Sequence, residues 1–333
     1  MKNNIKKILV TGGAGYIGSH TAKELSLAGY EPHVLDNFST GHHWAIQWGE
    51  YSDVDLLGKN KLLNELDEIR PEVVIHFAAS SLVSESYKNP ISYFNNNIIG
   101  TLNLLESMNA LGLNKIVFSS SCAVYGIPDS VPISNDHKTN PISPYGESKL
   151  IVEKILRWYS DIYNLRYISL RYFNAAGADP DNKIGEDHDP ESHLIPLAVD
   201  VALGNKEHLN IYGVDYPTYD GTAVRDYVHV KDLAIAHVNA LAYLLEGGKS
   251  SNINLGSGIG YSVREIVSEI NEISGNEMIF KEKERRKGDP SVLIADNSKA
   301  KHILNWEPMY SDLSNIVKTA YNWKQYMMNT KKD

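Results

Sequence analysis

Tyr145 and Lys149 stand four residues apart where a helical pattern begins, so their side chains share one helix face. A phenol with pKa ~10 is a poor base at neutral pH. An ammonium beside it favours the phenolate, which makes the pair suited to taking a proton from a hydroxyl. Upstream, Lys115, Ile116, Val117 and Phe118 read as a strand running into Ser119, Ser120 and Ser121. Hydroxyls at the carboxyl end of a parallel strand lie where open α/β sheets bind ligands. Near the N-terminus, Gly12, Gly15 and Gly18 follow the apolar run Ile8, Leu9, Val10 and open an amphipathic helix over residues 16–28. A strand, a glycine turn and a helix N-terminus hold a phosphate through backbone amides and the helix dipole. Gly12 permits the turn, Gly15 lets the cofactor approach, and Gly18 lets helix and strand pack closely. Asp36 ends the next strand, 18 residues after Gly18, where an acid bonds the ribose hydroxyls of NAD and repels the extra phosphate of NADP. Base, hydroxyl and dinucleotide together point to oxidation of a carbinol.

These residues need a frame that alternates strand and helix. Strands are predicted over residues 31–36, 51–54, 72–77 and 115–118. Helices are predicted over 59–69, 93–111 and 145–163, with a His- and Trp-rich loop over 37–50. The run Asn95, Asn96, Asn97 is poor helix chemistry, so at least one of these side chains has a task beyond solvation. The fold class is α/β: a Rossmann-type doubly wound parallel sheet with a smaller mixed α/β substrate domain. The expected division is 1–176 plus about 222–255 for the NAD-binding domain, and about 177–221 plus 256–333 for the other. A Gly/Pro/Asp-rich loop over 177–189 marks the crossing, residues 226–245 return the chain to the sheet, and Ser262-x-x-Glu265 reads as a capping box.

The 333 residues carry 32 basic and 41 acidic side chains, a net charge of −9, which argues against nucleic acid or an anionic membrane as partner. The single cysteine, Cys122, permits no disulfide within the chain and fits a reducing cytoplasm. Met1 to Lys7 lacks the apolar core of a signal peptide, and no apolar run is long enough for a bilayer.

With these motifs in hand, the chain resembles the extended short-chain dehydrogenases/reductases, and within them the UDP-glucose 4-epimerase family. The resemblance runs end to end. It rests on Thr11 to Gly18, on His76, Phe77, Ala78 and Ala79, on Ser119–Ser121 before Val124, Tyr125 and Gly126, on Tyr145-x-x-x-Lys149, on Arg171 to Asn174, and on Val224 to Tyr227. It implies an isomerase of galactose metabolism that interconverts UDP-galactose and UDP-glucose through a 4-keto sugar. NAD takes the hydride and returns it. Tyr145 is the base, Lys149 lowers its pKa and holds the nicotinamide ribose, and Ser121 bonds the sugar oxygen. The family pattern places Gly12, Gly15, Tyr16, Ile17, Gly18, Asp36, Asn37, Asp55, Leu56, Phe77, Ala78, Ala79, Asn96, Ser121, Tyr145, Lys149 and Phe173 at the cofactor. It places Asn174, His193 and Leu194 at the nucleotide sugar, and Asn210, Ile211 and Tyr212 at the uracil. Arg225 and Arg286 would grip the diphosphate, and Asp289 a ribose hydroxyl. No metal is expected. Relatives are commonly homodimers through two helices, here over 93–111 and 145–163.

Departures sharpen the reading. Dehydratases and decarboxylases of the superfamily place acids just after the serine, whereas here Cys122 and Ala123 follow it. UDP-glucuronate epimerases would want an extra cation, and none is evident. A net oxidoreductase or lyase, or an NAD-sensing regulator, are the rival classes; the intact Ser121, Tyr145 and Lys149 set argues against the regulator. Ser80 and Ser81 stand where many relatives carry a lysine. Leu293 stands where some have tyrosine, which predicts room for an N-acetyl group and some activity on UDP-N-acetylglucosamine.

Overall fold

Ile8, Leu9 and Val10 are all fully buried, on alternate sides of one sheet. Successive strand residues face opposite ways, so a strand buried on both faces reads as a continuous apolar run. The computed structural model describes residues 5–286 and 288–330. Residues 1–4, which hold most of the stretch examined for a leader, and the ends of the expected domains at 1 and 333 lie outside them. The chain forms β1 (Lys7–Thr11), β2 (Glu31–Asp36), β3 (Glu50–Asp53), β4 (Val73–His76), β5 (Lys115–Ser121), β6 (Arg166–Tyr172), β7 (Asn174–Ala176), β8 (Leu209–Tyr212), β9 (Val224–His229), β10 (Ser251–Leu255), β11 (Gly260–Ser262), β12 (Phe280–Lys283) and β13 (Val292–Leu293).

The main sheet has the order β10-β6-β5-β4-β1-β2-β3, and every pairing in it is parallel. The order reverses between β1 and β4, the switch point at which such sheets hold a ligand. Ile8, Val10 and Ile75 pack under the helices Tyr16–Leu27, Val230–Leu245 and Ser298–Leu304. Leu9, Val74 and Phe118 pack under Lys59–Ile69, Gly100–Ala110 and Pro144–Tyr163. The Rossmann-type doubly wound sheet is therefore present.

The smaller part holds a sheet of order β11-β9-β13, with β7 beside β9, and a two-stranded β12-β8 pair. Its core joins Ile195, Val199, Ile211, Ile266, Ile270 and Ile316 beneath the helices Leu194–Ala202, Val263–Ser274 and Leu313–Thr330. The capping box forms as expected: Ser262 N donates to Glu265 Oε2 (2.7 Å) and Glu265 N to Ser262 Oγ (3.0 Å).

Two expectations are corrected. The helix expected over 93–111 is Pro90–Phe94, one wide π turn Asn95–Ile99, and Gly100–Ala110. The wide turn drops Asn97 into the interior, 2% exposed. The return over 226–245 begins off the main sheet: β9 joins the small sheet, and β10, after Val230–Leu245, is the strand that reaches β6.

Candidate active site

The glycine turn closes the crevice at the switch point. Gly12 has φ +70°, and a Cβ there would lie 2.5 Å from Ala78 N, so no other residue fits between the ends of β1 and β4. A Cβ on Gly18 would lie 2.3 Å from Gly12 O. Gly15 is the N-cap of Tyr16–Leu27; no side chain caps that helix and its first turn holds no acid. Its amides thus face a ligand with nothing competing, and the residues present fit an anion such as a diphosphate. Asp36 is 8% exposed; its Oδ2 accepts from Ala14 N and its Oδ1 from Phe38 N, both at 2.9 Å. Burial raises its pKa against these bonds. The acid thereby holds the turn in shape. Asn37 Nδ2 donates to Asp55 Oδ2 (3.0 Å) beside it, and Leu56 is buried against Gly100.

Across the crevice, Thr11 Oγ1 and Thr101 Oγ1 bracket His76 at 2.7 and 2.9 Å. Burial lowers His76 to about 3, so the ring is a neutral structural link. Phe77 packs on His237. Asn97 Oδ1 accepts from Ser80 N (2.8 Å), and its Nδ2 donates to Ser80 O and Ser148 Oγ (3.0 Å each). It ties the loop after β4 to the helix of Tyr145. Asn96, named for the cofactor, donates to Ser80 Oγ (3.1 Å) at the same place.

Tyr145 and Lys149 lie in the first two turns of Pro144–Tyr163. Ser143 Oγ caps that helix by accepting from Gly146 N (3.1 Å), and Pro144 sits at N1. A Cβ on Gly146 would meet Ala123 O at 2.5 Å, so this glycine lets the helix seat against the turn after Ser121. Ser121 lies beside the Tyr145 phenol and acts to lower its pKa. Lys149 is 2% exposed; its Nζ donates to Ser119 O (2.8 Å) and lies 5.7 Å from the Tyr145 ring centre.

Lys149 is expected to draw Tyr145 toward neutral pH; burial acts on both groups in the opposite direction. Burial pushes Tyr145 up to about 12, against the effect of Ser121. Burial brings Lys149 down to about 7, against the Glu153 carboxylate. Loss of water disfavours both charged forms. Glu153 itself is 3% exposed and makes a bidentate pair with Arg171 at 2.6 and 2.8 Å, with Ser120 Oγ at 2.6 Å. Burial also pushes the Cys122 thiol up to about 12, so it is no proton donor at neutral pH.

On the small-domain side, Arg225 pairs with Asp289, sits in register with Leu293, and donates to Val224 O (2.8 Å). The Arg286 guanidinium lies 4.3 Å over the Tyr212 ring. Among the described residues Asn210 Oδ1 is buried with no partner, an acceptor that a ligand could use. Ile211 is 1% exposed and faces the small core, so only its backbone could meet a uracil. Phe173 is buried with Val124, Tyr125 and Leu150, and Leu293 packs on that cluster. Asn174 begins β7, opposite Tyr227. His193 N-caps Leu194–Ala202, and Leu194 packs on the small core. The His193 imidazole turns to Glu186 and Glu191.

The family described as GDP-mannose 4,6 dehydratase matches residues 9–319. A UDP-glucose 4-epimerase of Rhizobium meliloti (strain 1021) is 50% identical over 97% of this chain and 98% of its own. The crystal structure of UDP-glucose 4-epimerase from Brucella ovis in complex with NAD superposes with TM-score 0.93 at 48% identity, covering 95% and 98% of the two chains. The chain belongs to the UDP-glucose 4-epimerase family. A UDP-Glc/GlcNAc 4-epimerase from Campylobacter jejuni is also similar, with TM-score 0.85 and 40% identity over 96% of this chain and 99% of that one.

Within this epimerase-family frame, three supporting residues had no motif to announce them. Asn97 was visible only as one of three asparagines. Glu153 sits one helical turn past Lys149, a spacing that marks a shared face but not a buried ion pair. A glycine ordinarily weakens a helix, and at Gly146 the packing against Ala123 O requires one.

Proposed function

We propose that this chain is an NAD-dependent UDP-glucose 4-epimerase, an isomerase that interconverts UDP-galactose and UDP-glucose. The observation that carries the reading is the buried Tyr145 phenol beside Lys149, with the half-buried Ser121 hydroxyl next to it and a thiol of high pKa where a lyase would hold an acid. NAD, when bound, supplies a hydride acceptor at sugar carbon 4 that then acts as donor. Tyr145 takes the proton of the 4-hydroxyl and returns it. Ser121 bonds the same oxygen and relays the proton. Lys149, held by Ser119 O, sets the charge around the phenol. One base serves both faces of the 4-keto sugar when the nucleotide is gripped and the sugar is free to turn. Arg225, Arg286, Asp289, Asn210, Tyr212 and the Ile211 backbone suit the grip; Asn174, His193, Leu194 and Leu293 suit the sugar side. Gly12, Gly15, Tyr16, Ile17, Gly18, Asp36, Asn37, Asp55, Leu56, Phe77, Ala78, Ala79, Asn96 and Phe173 suit the cofactor.

The modest Leu293 side chain supports acceptance of the N-acetylated UDP-sugars as well. Exposed Ile91, Ile99, Trp158 and Ile162, on the segments around Asn97 and on the Tyr145 helix, support a homodimer. No helix among the described residues is long and apolar enough to cross a membrane; with one cysteine, a cytoplasmic enzyme is the consistent reading. The test is incubation with UDP-galactose, first alone and then with NAD added. UDP-glucose without net NADH is expected. No product in either arm, or a 4-keto-6-deoxy sugar, overturns the reading.

A further inference from the structure

Away from the hydroxyl–lysine site, the loop between β7 and Leu194–Ala202 brings Glu186, His188, Glu191 and His193 to one point. One ligand atom from each lies within 4.8 Å of the other three. His193 Nδ1 is 2.6 Å from Glu186 Oε1 and 3.0 Å from Glu191 Oε1. His188 Nδ1 is 3.0 Å from the same Glu186 oxygen and 3.8 Å from Glu191 Oε2. A tetrahedral centre with bonds of roughly 2.0–2.2 Å keeps its ligand atoms about 3.3–3.6 Å apart, and the observed separations bracket that spacing. The two carboxylates are withdrawn from water, with side chains 7% and 10% exposed. Two buried negative charges must be compensated. One divalent cation does so and leaves both imidazoles neutral, with their Nδ1 atoms already turned inward.

We propose that Glu186, His188, Glu191 and His193 form a structural site for a divalent transition metal. Two nitrogens and two carboxylate oxygens suit zinc best. Four protein ligands close the coordination sphere, so the ion fastens the loop and takes no part in the chemistry; the His193 imidazole is then committed to the ion, and its backbone is what remains for the nucleotide sugar. The ligands are themselves oriented, as metal ligands are. Glu191 Oε1 accepts from Ser192 N (2.7 Å) and His193 N (2.8 Å). Trp323 Nε1 donates to Glu186 O (3.0 Å). The Tyr16 ring meets His188 edge-on, and its hydroxyl donates to Gly177 O. The ion would thus pin the 177–193 crossing to the glycine-turn helix and to the helix Leu313–Thr330. The sequence reading expected no metal, because the four ligands lie in a loop whose path only the tertiary structure defines.

The test uses the full chain purified from zinc-supplemented cells. Metal content is measured by mass spectrometry, and ZnCl2 is titrated calorimetrically into EDTA-treated, desalted protein. About one zinc per chain, binding at micromolar Kd or tighter, and a melting temperature raised by ZnCl2 are expected. Both H188A and E191Q should lose the bound zinc. If H188A fails to fold, the nearly isosteric E191Q decides: folded E191Q with undiminished zinc overturns the four-ligand site. Protein that carries no metal, with no binding of ZnCl2, CoCl2 or MnCl2 below ~100 μM, shows a cluster held by protons alone and also overturns it.

Discussion

At Tyr145 the same burial that makes a useful site opposes its chemistry. Burial holds the phenol up at about 12 and the neighbouring Lys149 down at about 7. Removing the phenolic oxygen with Tyr145→Phe should lower turnover by roughly 10²–10⁴-fold, the usual weight of a positioned base. NAD content, read by absorbance, should stay unchanged. Lys149 carries a signature in stability. Its folded pKa lies below its ordinary 10.5. Below pH 7 both states hold the proton, and the folded chain bears the full burden of a buried charge. Between pH 7 and 10.5 the unfolded chain holds more protons, so stability rises with pH through that window. Lys149→Met escapes this, so its stability relative to the parent should be greatest at pH 7 and fall by pH 9.5. Urea midpoints at the two pH values check the sign. Leu293→Tyr should cut the rate on UDP-N-acetylglucosamine at least tenfold relative to UDP-glucose, a pocket-size effect of about 1.4 kcal/mol or more. An unchanged ratio of the two rates would remove Leu293 from specificity.

Gly12 acts at the scale of elements, by letting backbones meet. Gly12→Ala puts a methyl 2.5 Å from Ala78 N on a backbone with φ +70°. The strand ends must then part, and NAD affinity measured by fluorescence quenching should drop at least tenfold, a loss of about 1.4 kcal/mol or more. Gly12 was legible in the sequence because the glycine spacing sits between a strand and a helix. Asn97 was not, because the π turn that buries it leaves no periodic trace: residues 93–111 read as one helix until the fold shows the turn opened. The inward side chain of Ile211 was not legible for a related reason. Motif resemblance carries a residue's position but not which way a strand's alternation points its side chain.

For the whole molecule, the proposed dimer makes a clean demand. Ile162 is 61% exposed and Trp158 57% on the outer side of the Tyr145 helix. Ile162→Glu should leave a folded monomer by light scattering at concentrations where the parent is a dimer, because a charge at an apolar interface lacks compensation. A parent that is itself monomeric would remove the dimer reading. The alternation of apolar runs with amphipathic segments, by itself, determined the doubly wound sheet, because strand and helix periods are local properties of the chain. The glycine turn, Ser121 at a strand end and the Tyr145/Lys149 pair were likewise legible, because each is marked by a short local pattern in its own stretch of chain. Only the tertiary structure decided what surrounds them. It set the Glu153–Arg171 pair near Lys149, Asn97 between the loop after β4 and the Tyr145 helix, and Glu186, His188, Glu191 and His193 at one point. Desolvation and ion pairing depend on distances between elements remote in sequence, and convergence of the 186–193 ligands depends on a loop path that no helix or strand period encodes.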